Sequence, residues 1–461
     1  GRAQRRGALS GEHQLTRAEL GSASPPARAQ VLGNDVAMGR FLLTTMPFTG
    51  HVTPMATVAR QLVDRGHEVR FYTGARFRDR VEASGATLVP WNAAPDFDEN
   101  DLPATFPRLI GKKGLRQLLV NMVDCFIATA PAQCADLSAE WDRAPWDALA
   151  ADETSVGAVL FRERMGMPWA TVAILPLNLA GNAGPPSGMG LIPGTNPVTR
   201  LRDAALRAAV PLISRPITLA IDEARHTIGL PSTPLMMEKL VFSPTLIAAS
   251  GAPALDYERP DRPAHLHFVG ELRAASPEQA ASAPLPEWWP ELASRTVVLV
   301  SQGTQNIDPD DLIRPALEAL SGRDVLVVVT TGVAGRDTLP FAVPSNTRVA
   351  GFIPFAALLP FVSLMVTNGG WGGTLMALSH GIPLVIAGGD LDKPEVAARV
   401  AWSGAGINMH TGTPTAKALS VAIDRALVDP ALRAAAIRVG AQLRSLGGAP
   451  RAAELLEGML R

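Results

Sequence analysis

From Met38 onward, short apolar runs alternate with longer stretches whose apolar residues recur every three or four positions. RFLLTT (40–45) is followed by VTPMATVARQLVDRG (52–66), HEVRFYT (67–73), a further amphipathic stretch and ATLVPW (86–91). WDALAAD (146–152), TSVGAVLFRERMG (154–166) and PWATVAI (168–174) continue the series. Short runs that are apolar throughout predict strands covered on both faces. The segments between them predict helices, so the pattern is one of βαβ units and a parallel sheet. A second series starts at TVVLVSQGT (296–304) and passes through VLVVVTTG, TRVAGF, SLMVTNGG, PLVIAGG and GAGINM. Asp308 is the expected N-cap of a helix over 308–320, with Pro309 suited to its first position.

The length of 461 residues exceeds one ordinary core and suits two domains of roughly 200 residues. The fold expected is α/β, with two Rossmann-like, doubly wound domains facing each other across a cleft: a first domain over 38–248 and a second over 272–461. The last helix is a candidate to pack back on the first domain. Residues 249–271, polar and marked by prolines, are the expected linker. Residues 174–197, rich in Pro, Gly and Asn, read as a long loop of the kind that carries function, with helical sequence following to about Ile228. Residues 1–37 are rich in Arg, Ala and Gly, show no periodicity and hold no apolar block long enough for a signal peptide. They are read as a disordered or extraneous leader.

A net charge of −1 gives no reason to expect a nucleic-acid partner. Two cysteines, Cys125 and Cys134, make neither a disulfide framework nor a zinc pattern, and a cytoplasmic protein is the simplest expectation. Residues 165–199 and 349–389 are long stretches without any Asp, Glu, Lys or Arg. Pro, Gly and Asn interrupt both, so buried strands explain them better than a membrane span.

In MVTNGGWGGTLMALSHGIPLVIAG (365–388) four glycines stand between an expected strand and a helix from Thr374. A helix N-terminus offers unpaired N–H groups and about half a positive charge, and glycines let an anion reach them. Tight strand–helix packing is the alternative use of such glycines. The segment from Thr367 to Val400 resembles the donor-binding signature of the family 1 nucleotide-sugar glycosyltransferases, and TGHVTPMATVARQLVDRGHEVRF (49–71) resembles that family's first strand–loop–helix.

The resemblance covers nearly all of residues 38–461 and implies the GT-B fold, with the acceptor on the first domain and the nucleotide sugar on the second. It implies donor-binding roles for Ser301, Gly303 and Thr304 in the first loop of the second domain, and for Asn368, Gly369, Gly370, Gly373 and Thr374 at the diphosphate turn. Phe352 falls where a base-stacking aromatic is usual, and Asp392 and Lys393 fall on the pair that touches the sugar. Asn368 replaces the family's His, Met376 its ribose-binding Glu, and Lys393 its Gln. Lys393 adds a charge able to meet a phosphate or a sugar carboxylate.

Transfer to a hydroxyl needs a base for the acceptor proton and stabilisation of the departing diphosphate; a histidine suits the first and a helix N-terminus the second. His51 aligns with the family's catalytic base and Asp152 with the carboxylate that orients it. A helix-start residue for His51, and an N-cap near Thr154 for Asp152, are the plain structural alternatives. The resemblance thus implies an inverting transferase acting on a UDP- or TDP-linked sugar, with no metal or other cofactor. The acceptor expected is a hydrophobic small molecule, held by the nearly uncharged loop after Ile174 and the apolar stretch 118–127. A nucleotide-sugar epimerase and a non-catalytic auxiliary protein are the competing readings, and a monomer or homodimer is expected.

Overall fold

The computed structural model describes residues 38–112, 114–273, 285–303, 308–333 and 335–460. Thr304 therefore lies outside the described residues. Among them, thirteen strands form two sheets whose paired strands all run parallel. The first sheet contains β1 (Arg40–Thr44), β2 (Glu68–Thr73), β3 (Thr87–Pro90), β4 (Ala148–Ala151), β5 (Trp169–Ala173), β6 (Ile247–Ser250) and β7 (Leu266–Gly270), in the order β3-β2-β1-β4-β5-β6-β7. The second contains β8 (Val297–Ser301), β9 (Leu326–Thr330), β10 (Thr347–Ala350), β11 (Val362–Thr367), β12 (Leu384–Ile386) and β13 (Gly406–Asn408), in the order β10-β9-β8-β11-β12-β13.

The continuous apolar runs follow from cover on both faces. Phe41 and Leu43 of β1 join one core, and Leu42 between them joins the other. Val297 and Leu299 of β8 face one side of the second sheet, while Val298 and Val300 face its opposite side. Each such side chain taken from water contributes roughly 1.5–3 kcal/mol, which is why alternation is absent.

The helices used below are α1 (Thr49–Asp64), α2 (Ala130–Arg143), α3 (Val156–Met165), α4 (Pro197–Ile213), α5 (Arg215–Thr227), α6 (Ile313–Leu320), α7 (Trp371–Ser379), α8 (Lys393–Ser403), α9 (Pro430–Ser445) and α10 (Gly448–Glu457). From the second half of the chain, α10 returns to the first sheet. Ala449, Ala452, Ala453 and Leu456 pack in the core that holds Phe41, Val52 and Met55. Glu457 bonds to Arg65 at 3.1 Å and to His67 at 2.9 Å.

Two boundaries differ from expectation. Residues 249–271, expected as a linker, contain the end of β6 and the whole of β7, so the first sheet continues to Gly270. The helix expected from Asp308 begins at Ile313; Asp308 instead accepts the N–H of Asp310 at 3.0 Å in a turn. Among the described residues, one helical run, Arg116–Arg143, is long and apolar enough to cross a membrane by length and composition. A π-helical segment, Asn121–Ile127, interrupts it. The bent pair α4–α5 qualifies only if counted as one span.

In each sheet the chain direction of assembly reverses at one place, between β1 and β4 and between β8 and β11. Loops leaving the carboxyl ends there diverge to opposite faces and open a crevice. Thr44 pairs with Ala151, and Ser301 with Thr367, so the candidate residues Asp152 and Asn368 each directly follow a strand that borders a crevice.

Candidate active site

At the first crevice, β1 feeds α1 and places His51 in that helix's first turn. Asp152 follows the last residue of β4, its N–H held by the carbonyl of Thr44 at 3.1 Å. The His51 Nδ1–H donates to Asp152 Oδ2 at 2.9 Å. The other oxygen, Oδ1, accepts from the N–H and hydroxyl of Thr154, both at 2.9 Å, and from the Ser155 hydroxyl at 2.8 Å. One carboxylate therefore both closes the turn into α3 and holds the imidazole. Asp152 is fully buried, whereas the His51 side chain keeps 13% exposure. The ring is thus not sealed from solvent.

Burial opposes charge on His51, but the hydrogen bond and charge of Asp152 outweigh it. Glu153 and Asp392 add to the effect, and the imidazole pKa is raised above 6.5. Burial also pushes the Asp152 carboxyl up. The His51 bond and charge, with the hydroxyls of Ser155 and Thr45, hold it below the usual carboxylate range. Asp392, from the second half of the chain, is the last of the groups that raise the His51 pKa. Phe48 lies 5.5 Å from the His51 ring, and Phe97 and Phe126 lie 5.2 and 5.9 Å from Phe48. An aromatic wall thus stands beside the imidazole, with Phe126 supplied by the π-helical segment.

Glu153, beside Asp152 in sequence, had no role in the sequence reading. It is buried, and it accepts the N–H groups of Ile174 and Leu175 at 3.0 and 2.7 Å. Burial and the Asp152 charge push its carboxyl up to about 7 from 4.5, against those two bonds. The folded chain then holds a proton that the unfolded chain releases between those pH values, so stability falls as pH rises through the window. The raised His51 pKa acts in the same direction above 6.5. Glu153→Gln is expected to flatten the decline of Tm between about pH 5 and 7. Thermal melts across that range check it, and an unchanged slope would assign the decline to other groups.

At the second crevice, α7 begins at Trp371 rather than Thr374, with Gly370 as its N-cap. The Thr374 N–H donates to the Gly370 carbonyl at 3.0 Å, so the N–H groups of Trp371, Gly372 and Gly373 form the open first turn. The glycines divide into two kinds. Gly369 has φ +92°, and a Cβ there would lie 2.7 Å from Ile386 Cγ2, so the fold itself requires it. A Cβ on Gly370 would meet nothing within 4 Å, and one on Gly373 would meet only Met365 Cε at 3.9 Å. The protein's own packing does not require glycine at either position.

Ser301 is buried at the end of β8, and Gly303, with φ +77°, faces the Asn368 side chain. Asn368 Nδ2 donates to the carbonyl of Gln302, so the side-chain amide expected at the diphosphate turn is engaged within the protein. The Thr374 hydroxyl is fully buried and has no partner among the described residues. Phe352 is 70% exposed just beyond β10, as an open ring face. Lys393 is buried and donates to Asp390 at 2.7 Å, so it is not the free cation that the sequence suggested. Burial raises the Asp392 carboxyl pKa against the pull of Lys393. Among the described residues no group of three or more His, Cys, Asp or Glu is placed to hold a metal ion. Cys125 and Cys134 are free and buried, which pushes both thiols up to about 12.

Two parallel, doubly wound sheets, with a His–Asp pair at one crevice and a glycine turn at the other, define a GT-B glycosyltransferase. Residues 314–458 match the family described as "Erythromycin biosynthesis protein CIII-like, C-terminal domain". The chain is 38% identical over 424 residues to 4'-demethylrebeccamycin synthase of Lentzea aerocolonigenes, covering 91% of this chain and 99% of that one. It is 32% identical over 417 residues to UDP-glucosyltransferase B1 of Starmerella bombicola, covering 86% and 93%. Among solved structures, the glycotransferase of kitacinnamycin superposes with a TM-score of 0.69 at 22% identity, over 92% of this chain and 99% of that one. The calicheamicin glycosyltransferase CalG4 gives 0.69 at 20%, over 92% and 98%. The chain belongs to the family 1 glycosyltransferases, of the natural-product type.

Proposed function

We propose that this chain is an inverting glycosyltransferase that moves a sugar from a UDP- or TDP-linked donor to a hydroxyl of a hydrophobic small molecule. The observation that carries the reading is the His51–Asp152 pair at 2.9 Å, with the His51 side chain left partly exposed. The acceptor hydroxyl gives its proton to His51 Nε2 as its oxygen bonds to the anomeric carbon and the bond to the diphosphate breaks. Asp152 holds Nδ1–H, fixes the tautomer and stabilises the imidazolium that forms. The departing diphosphate is met by the first turn of α7 and needs no metal in this scheme. Attack opposite the leaving group converts an α-linked donor into a β-glycoside. The aromatic wall at Phe48, Phe97 and Phe126 suits an apolar acceptor. A relative named as a UDP-glucosyltransferase supports a UDP-hexose as the first donor to try.

Calorimetric titration with UDP, TDP and GDP tests the donor half. Micromolar binding of UDP or TDP is the expected result. Binding of none would favour an auxiliary protein whose diphosphate site no longer works, with Met376 and Asn368 as the residues responsible.

A further inference from the structure

The loop over residues 174–196 contains no acidic or basic side chain, yet charged residues outside it hold its backbone. Glu153 takes its first two N–H groups, as described above. Arg259 donates to the Leu179 carbonyl at 2.7 Å and to the Ser187 hydroxyl at 3.2 Å. The remaining anchors that matter here come from the other half of the chain. Arg399 Nη2 donates to the Leu177 carbonyl at 2.8 Å. A single oxygen of Glu395, Oε2, accepts the N–H groups of Gly188 and Gly190, each at 3.1 Å.

Glu395 and Arg399 also bond each other at 2.9 Å, and Arg399 reaches Asp256 at 2.7 Å. Arg399 is 1% exposed, so the charges act with little screening and breaking one contact leaves the others uncompensated. Both residues lie on α8, one and two turns from Asp392, whose carbonyl accepts the Glu395 N–H at 3.0 Å. Gly190, with φ +64°, lets the loop close on this helix; a Cβ there would lie 2.7 Å from Pro394 Cβ. The loop expected to hold the acceptor and the turn that carries Asp392 and Lys393 are thus fastened to one helix.

We propose that Glu395 and Arg399 are positioning residues that couple the order of loop 174–196 to occupation of the sugar site at Asp392 and Lys393. The inference rests on the transferase reading above. A sugar that steadies the start of α8 also steadies the loop's anchors. By linkage, an acceptor that orders the loop tightens sugar binding by the same factor.

The test is hydrogen exchange of the full chain with and without UDP, TDP, UDP-glucose and TDP-glucose, after calorimetry has shown which nucleotide binds. The expected result is that the sugar nucleotide slows exchange at residues 186–192 by roughly tenfold, and the bare nucleotide by much less. In Glu395→Gln the sugar-dependent protection is expected to disappear while affinity for the bare nucleotide changes less than about twofold. Gly190→Ala is expected to reproduce that loss from the loop's side, and it stands in if Glu395→Gln does not fold. Equal protection by bare nucleotide, or protection that survives in the variants, would overturn the coupling and leave the transferase reading standing. No binding of any nucleotide would overturn both, and calorimetry would show it first.

Discussion

Replacing His51 with alanine is expected to slow sugar transfer about 10³-fold while leaving the Kd for UDP or TDP within about twofold of the native value. The separation follows from place: His51 sits at the crevice of the first sheet, and the glycine turn sits at that of the second. The loss should therefore fall on kcat. A pH profile sharpens the assignment. Because the imidazole pKa is raised, the native rate should climb with pH on a limb lying above 6.5. Asp152→Asn removes the main influence that opposes burial, so the limb should move to lower pH as the maximal rate falls. Turnover that survives in His51→Ala, or a limb unmoved in Asp152→Asn, would mean another group takes the proton.

The second large effect is expected at Gly370. Gly370→Val should weaken nucleotide binding by ~100-fold, equivalent to roughly 2.7 kcal/mol, with Tm changed by less than about 2 °C. The reason is that a Cβ at this position meets nothing within 4 Å beyond its own chain neighbours, and φ of −59° is open to any residue. It would occupy only the approach to the open first turn of α7. Gly369→Ala should behave in the opposite way. Its Cβ would press on Ile386, and its backbone would be strained at φ +92°, so stability should drop. Melting curves and nucleotide titrations on the two variants separate the roles. Native-like binding by Gly370→Val would remove the diphosphate from the turn.

The alternation of strands and helices was readable because parallel strands are buried on both faces. RFLLT and VVLVS carry that signal without help from the rest of the chain. The edge of the first sheet was not readable. β7 follows Pro253, Pro260 and Pro263 and a run of charges, so local sequence there looks like a linker although tertiary pairing makes it a strand. The meeting of His51 with Asp152 was legible through motif and position. Glu153 was not, since two adjacent acids usually mark solvent and only the burial of β4's end makes one of them a backbone anchor. Glu395 and Arg399 stand i,i+4 on a helix, a spacing that says nothing of their burial. Their meaning comes from contacts more than 140 residues distant in the chain. The engagement of Lys393 by Asp390 and of Asn368 by Gln302 was equally invisible, because no local pattern states which partner a side chain will choose.

The return of α10 to the first sheet has a consequence for how the chain is made. Arg65 and Glu457 stand 392 residues apart, a gap that a ribosome needs roughly 20–80 s to translate. Throughout that interval the α1 surface that will meet Ala449, Ala452, Ala453 and Leu456 has emerged without its cover. The core on that face of the first sheet, begun early in synthesis, is thus completed late, and it closes only once α10 has left the exit tunnel.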